Sequence, residues 1–157
     1  MRILGIDPGT SLLGYGIIDA SKTSSTVVSF GSFRTASKLE NRERVLDVYN
    51  FFSKLIIKYS PDVLAIEKLF FFKNAKTVMQ VSEMRGVLLL LAVQSNLKIR
   101  EFTPLEVKQA ISGYGRAGKD QIGAMVKVIL NLNEVPKPDD VSDALAIAIC
   151  AANTVQY

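Results

Sequence analysis

The tightest constraint on the fold lies in the first 35 residues, where three strand-like runs follow one another with no room for a helix between them. Arg2–Asp7 is short and apolar, and Gly14–Asp19 and Ser24–Thr35 are β-branched runs bounded by glycine and serine, so the chain opens as an antiparallel meander. The hydrophobic period then changes. Lys38–Tyr59 carries Leu39, Val45, Leu46, Tyr49, Phe52, Leu55 and Ile56 at close to helical spacing and stops at Pro61. Val63–Glu67 reads as a buried strand. Ala75–Asn96 reads as a helix whose second half is apolar on nearly every side, which demands burial within the monomer or between subunits. After a strand at Lys98–Phe102, Thr103-x-x-Glu106 with Pro104 in the first turn marks a helix start, and that helix runs to about Ser112. Gly113–Gly118 is a glycine-rich basic loop and Lys119–Leu132 is helical. Pro136 and Pro138 make a rigid connection to a last helix over Asp139–Asn153. Three strands, then helices alternating with two more, predict a single α/β domain over residues 1–157. Its five-stranded mixed sheet is antiparallel in the first three strands and parallel afterwards, flanked by helices.

Composition narrows the chemistry chiefly through an absence. The chain has no histidine, which excludes a Ser-His-Asp triad, a Cys-His pair, a histidine general base and the usual catalytic zinc sites. Hydrolytic chemistry must rest on carboxylates, lysine, tyrosine or hydroxyls. One cysteine, Cys150, leaves no internal disulfide and suits a reducing compartment, with the cytoplasm as the expected location. The N-terminal residues lack a signal-peptide pattern, and the longest apolar run, Gly86–Val93, is far short of the ~20 residues that span a bilayer, so no membrane role is expected. The net charge of +4 permits a polyanionic partner without demanding one.

Four acids stand out against their surroundings. Asp7 ends the run Ile3–Ile6 and Glu67 ends the run Val63–Ile66, so both carboxylates close segments built for burial, where an unpaired charge is costly. Asp140 and Asp143, three apart at the head of the last helix, share one face and repel each other. A divalent cation converts such repulsion into coordination, and an all-oxygen donor set favours a hard ion such as Mg²⁺ or Mn²⁺. The plain alternative for each acid is a turn former, a helix cap or a partner of the helix dipole, and Asp19 and Asp139 are assigned to those duties. Taken together the four read differently, because ligands in α/β sheets gather at the carboxyl ends of strands.

Five segments in order carry a family resemblance: Gly5-Ile6-Asp7-Pro8-Gly9-Thr10 with Gly14-Tyr15-Gly16; Ala65-Ile66-Glu67 with Phe70, Lys73 and Asn74; Arg85-Gly86-Val87; Val107-Lys108-Gln109; and Asp140 to Ile147. Together they cover essentially the whole chain, which resembles the RuvC family of Holliday-junction resolvases. The resemblance implies an RNase H-like fold and a homodimeric, structure-selective endonuclease of recombination and repair. Such an enzyme places paired symmetric nicks in four-way DNA junctions and leaves 5′-phosphate ends. It implies two Mg²⁺ ions per subunit, replaceable by Mn²⁺, held by Asp7, Glu67, Asp140 and Asp143, and the RuvA and RuvB branch-migration proteins as partners. Many members carry histidine near the end of the last helix. Cys150 and Ala151 stand there instead, so no imidazole can contribute in this chain.

Lys73, Lys76, Arg85, Lys108, Arg116 and Lys119 follow strands or open helices, where they could meet phosphates; the alternative for each is a solvated basic surface. The family resemblance favours DNA contact for Lys108 and Lys119. Of Phe70-Phe71-Phe72, directly after Glu67, at least one ring is expected to face the substrate and stack on an unpaired base, with core packing as the alternative; the resemblance points to Phe70. Gly113–Lys119 is not a Walker A loop, because a helix precedes it and Asp120 stands where a Ser or Thr would hold Mg²⁺. The opening Gly-Ile-Asp-Pro-Gly-Thr is similar to the phosphate loop of actin-like ATPases, but the second such lobe is missing. For a dimer, the apolar stretch Val87–Val93 is the candidate surface, with burial inside the monomer as the alternative.

Overall fold

The computed structural model describes residues 1–36, 38–69 and 75–154, with only the backbone of residues 75–77. The elements run β1 (Arg2–Asp7), β2 (Leu12–Ala20), β3 (Ser25–Arg34), α1 (Asn41–Tyr59), β4 (Val63–Glu67), α2 (Ala75–Gln94), β5 (Lys98–Phe102), α3 (Pro104–Ser112), α4 (Lys119–Ile129) and α5 (Asp139–Thr154). The sheet order is β3-β2-β1-β4-β5. β1, β2 and β3 pair antiparallel, while β4 runs parallel to both β1 and β5. The expected mixed sheet is the one observed.

Strand alternation sorts the side chains into two cores. Ile3, Val63, Ala65 and Phe102 pack on the α3/α4/α5 side, whereas Leu4, Ile6, Leu64 and Ile66 pack on the α1/α2 side. A period of two places Asp7 and Glu67, the next residues in phase, on the α5 side. The last pair in the β1–β4 ladder is Ile6 with Ile66, so the two acids leave the sheet side by side.

Glycine determines how close α5 lies to those strands. Gly5 pairs with Gly16, and Gly14 pairs with Asp7. A Cβ on Gly5 would run into the carbonyl oxygen of Ala144, one on Gly14 into that of Asp140, and one on Gly16 into the Leu145 side chain. Three missing side chains, faced by the small residues Ala144 and Ala148, let the helix backbone rest on the strand backbone. Gly14 therefore lets the first turn of α5 lie against the strand that pairs with Asp7.

Helix ends follow local chemistry and differ in places from the periodicity. α1 starts at Asn41 rather than Lys38, because Glu43 Oε2 accepts the Glu40 backbone N–H at 2.8 Å and closes the helix there. α2 ends at Gln94, two residues early, and Asn96 adopts a left-handed φ of 57°. α4 ends at Ile129, since Asn131 is left-handed at φ 51° and the Leu132 N–H reaches back to the Lys127 carbonyl at 2.9 Å. α3 begins as expected: Glu106 N–H donates to Thr103 Oγ1 at 3.1 Å and Thr103 N–H to Glu106 Oε2 at 2.7 Å. The second half of α2 is not enclosed on every side. Met84, Leu88, Leu91 and Ala92 are buried, yet Leu90 and Val93 stay exposed, because the rest of the fold covers one side of the helix only. Asp19 is not a turn residue either. It lies within β2 and takes two hydrogen bonds from the Arg2 guanidinium, at 2.9 and 2.8 Å.

Candidate active site

Asp7 and Glu67 stand at the carboxyl ends of neighbouring parallel strands, and Asp140 and Asp143 in the first turns of the helix that crosses them. That helix start is pinned from outside: Ser142, buried, donates to the Pro136 carbonyl at 2.8 Å, and Val141 N–H donates to the Pro138 carbonyl at 2.9 Å. The proline-containing connection thus holds the first turns of α5 in place. Asp7, Glu67 and Asp143 line one cavity of about 330 Å³, and Lys108 and Lys119 form part of its wall. Asp140 does not line it, but is near enough to act on Asp7 and Asp143 electrostatically.

The charges in this cavity are out of balance. Burial, followed by repulsion from Asp143, Glu67 and Asp140, pushes the Asp7 carboxyl up to about 7, with Lys119 opposing. Glu67 is raised by burial and by Asp143, against Lys108 and Lys119. Asp143 is raised by burial, with Lys119 pulling the other way. The Lys119 ammonium, 3.6 Å from Asp143 Oδ2 and 3.8 Å from Asp139 Oδ2, is raised chiefly by Asp143. Among the described residues, no three acidic side chains already converge tightly enough to form a ready-made ion site. The backbone supplies proximity, and Lys119 supplies part of the missing positive charge.

The expected DNA-binding residues divide by position. Lys108 and Lys119 reach the acids, and Arg116 is exposed in the loop before α4. Arg85 departs from the expectation. Its side chain turns inward, ion-paired with Glu101 and donating Nε to the Glu67 carbonyl at 3.2 Å. It therefore braces the strand end that presents Glu67, because a half-buried guanidinium needs acceptors and β5 and β4 offer them. Phe70 and Lys73 lie outside the described residues, and of Lys76 only the backbone is described. One cation escaped the sequence reading. Lys68 follows Glu67, is exposed, and its backbone N–H donates to the Phe102 carbonyl at 2.7 Å, beside a second and larger cleft. Its direct succession to a candidate ligand was the available signal.

The family profile for the crossover junction endodeoxyribonuclease RuvC matches residues 3–151. The chain belongs to the RuvC family. The RuvC protein of Halothermothrix orenii is 53% identical over 154 residues, covering 98% of this chain and 93% of that one. Among solved structures, Thermus thermophilus RuvC superposes with a TM-score of 0.89 at 30% identity, over 97% of this chain and 93% of that one. The same protein in complex with a Holliday junction substrate superposes at 0.88 with 27% identity, over the same shares of the two chains. The fold is accordingly RNase H-like, and RuvC-type strand hydrolysis depends on divalent metal. The donor set here fits such an ion: oxygen only, several carboxylates, and a carboxyl at Asp7 already starved of positive charge.

Proposed function

We propose that this RuvC-family endonuclease resolves four-way DNA junctions by paired symmetric nicks. On this reading Asp7, Glu67, Asp140 and Asp143 hold two Mg²⁺ ions, with Mn²⁺ as a substitute. The observation that carries it is the gathering of Asp7, Glu67 and Asp143 around one cavity, beneath a helix that glycines seat directly on the strands. When bound, the ions supply an activated attacking water and stabilisation of the leaving 3′-oxygen, so that in-line hydrolysis leaves a 5′-phosphate.

The protein's own groups do the rest. Asp7 shares its cavity with Glu67 and Asp143 and feels the charge of all three other acids, so it would be the carboxylate most dependent on a bound cation. Arg85 holds the Glu67 strand end, and the Ser142–Pro136 bond holds the first turns of α5, so the backbones that carry the acids are fixed and only their side chains would have to close on an ion. Lys108 and Lys119, in the wall of the same cavity, are placed to meet the phosphates of the strand being cut. Paired nicks require two sites. The exposed Leu90 and Val93 of α2, with Met79 on the same helix, form the surface for a homodimer. RuvA and RuvB are the partners that would deliver the junction.

The test is a nicking assay with Mg²⁺, with and without chelator, on a mobile four-way junction, an RNA–DNA hybrid and a plain duplex. Metal-dependent, symmetric cutting confined to the junction is expected. Preferential cutting of the hybrid would assign the chain to a different substrate, and a monomer at micromolar concentration by sedimentation would remove the paired-nick mechanism.

A further inference from the structure

We propose that the larger cleft beside the carboxylates is a binding subsite for one nucleotide of the strand being cut. Its base lies on an apolar wall of Leu69, Val78, Val81 and Leu105, and Lys68 holds its phosphate. This subsite rests on the endonuclease reading above.

Two cavities share Asp7 and Glu67. The smaller carries the charged groups Lys108, Lys119 and Asp143. The larger, about 600 Å³, runs away from the acids between the first half of α2 and the start of α3, and its lining is mostly apolar. Because the acids belong to both walls, a strand whose scissile phosphate sits on them has both cavities within reach of its adjoining nucleotides. The apolar cleft is within the usual size range for a small-molecule site, with room for a base and its sugar.

The lining says which part of the nucleotide it recognises. Among the described lining residues Thr103 carries the one hydroxyl, and its Oγ1 already accepts from Glu106 N–H at 3.1 Å as the cap of α3, which leaves it a single proton to donate. The described aliphatic side chains offer no hydrogen bond to a base edge, so this wall would cover the apolar face of a base. Leu105 is 59% exposed in the first turn of α3, an apolar side chain left in water at the cleft wall. Lys68 is placed by its backbone bond to Phe102 O, one residue beyond the last strand pair, and no ion pair holds its ammonium among the described residues. Lys68 acts on the Glu106 carboxylate through space, but Glu106 takes the Thr103 N–H and no ion pair closes with Lys68, so the ammonium can turn to a phosphate.

The experiment uses the full chain and four-way junctions carrying one abasic site at successive positions within three nucleotides of the cut. Affinity is measured in Ca²⁺, so that nothing turns over. Wild type should lose about tenfold at one of these positions, the worth of covering one base face with apolar side chains. Leu105→Ala, weaker on the intact junction, should lose less than about twofold from the same abasic site. Lys68→Gln should lower the slope of log affinity against log salt by about one, and Lys68→Arg should restore it. Equal abasic penalties in wild type and Leu105→Ala at every position, or an unchanged salt slope in Lys68→Gln, would overturn the subsite. The two readings fail separately. A wild type that shows this binding pattern but never nicks in Mg²⁺ sinks the endonuclease reading alone, whereas one that nicks the junction without any coupled position sinks the subsite alone.

Discussion

The two faces of the sheet are built from alternate residues of the same strands, and they are packed in opposite ways. On the α1/α2 face the space is filled with bulk. Phe52 is fully buried, Phe33 stacks on Phe51 at 4.3 Å between ring centroids, and Tyr15 and Phe51 meet Phe52 edge-on. On the α5 face side chains are removed instead: at Gly5 and Gly14 the helix carbonyls lie against the strand backbone, and at Gly16 the Leu145 side chain takes the space. Bulky cores adjust to a changed volume by shifting rotamers, but a carbonyl against a glycine has no rotamer to change. All four candidate ligands belong to the face without slack. Carboxylates that repel one another stay close only if the elements carrying them cannot move apart.

That contrast can be broken most sharply with charge. Asp7→Asn should cut junction nicking by at least about a thousandfold, or about 4 kcal/mol of transition-state stabilisation, while junction affinity stays within about twofold. Strand cleavage and binding measured on the same preparation check this, and persistent cleavage would remove Asp7 from the site. Next comes geometry. Gly14→Ala should cost roughly 2–3 kcal/mol in urea unfolding and lower nicking per folded molecule, because the added methyl pushes on the Asp140 carbonyl. Phe52→Leu, on the other face, should cost roughly 1–1.5 kcal/mol and leave nicking per folded molecule unchanged. Equal losses of activity in the two variants would erase the distinction between the faces.

A smaller effect separates charge from packing. Folding raises the Asp7 carboxyl from its ordinary 3.8 to about 7, so its protonated form is favoured in the folded chain. The stability this contributes is complete below about pH 4 and is lost as pH rises through 7. Without metal, Asp7→Asn should therefore be more stable than wild type at pH 8 by about 2 kcal/mol, after allowance for solvent around a half-buried group. The gain should vanish near pH 4. Mg²⁺ should raise the melting temperature of wild type and not that of the variant. The smallest expected change is at the cavity rim, where Lys108→Ala and Lys119→Ala should each lower the salt slope of junction binding by about one. An unchanged slope would mean that neither lysine meets a phosphate.

Much of this architecture is legible locally. A period of two in Ile3–Asp7 and Val63–Glu67 puts both terminal acids on one face, and Thr103, Pro104 and Glu106 announce α3. Spacing alone also brings Asp140 and Asp143 to one side of α5. These follow from the chain itself because backbone geometry ties side-chain direction to sequence separation. What lies opposite each face is a different kind of fact. Arg85 reads as a free cation in sequence and is drawn inward by Glu101 and the Glu67 carbonyl; the apolar half of α2 keeps Leu90 and Val93 exposed; and Lys68 gains its place only when Phe102 pairs beside it. Each depends on partners far along the chain, whose approach is set by the stacking of layers and the depth at which glycines let α5 settle. Local patterning along the chain thus specified which segments are strands and helices, to within a turn at the helix ends, and which acids stand at their termini. Tertiary structure decided which charges meet, because electrostatic energy depends on distance through space, and that distance exists only once the layers have packed.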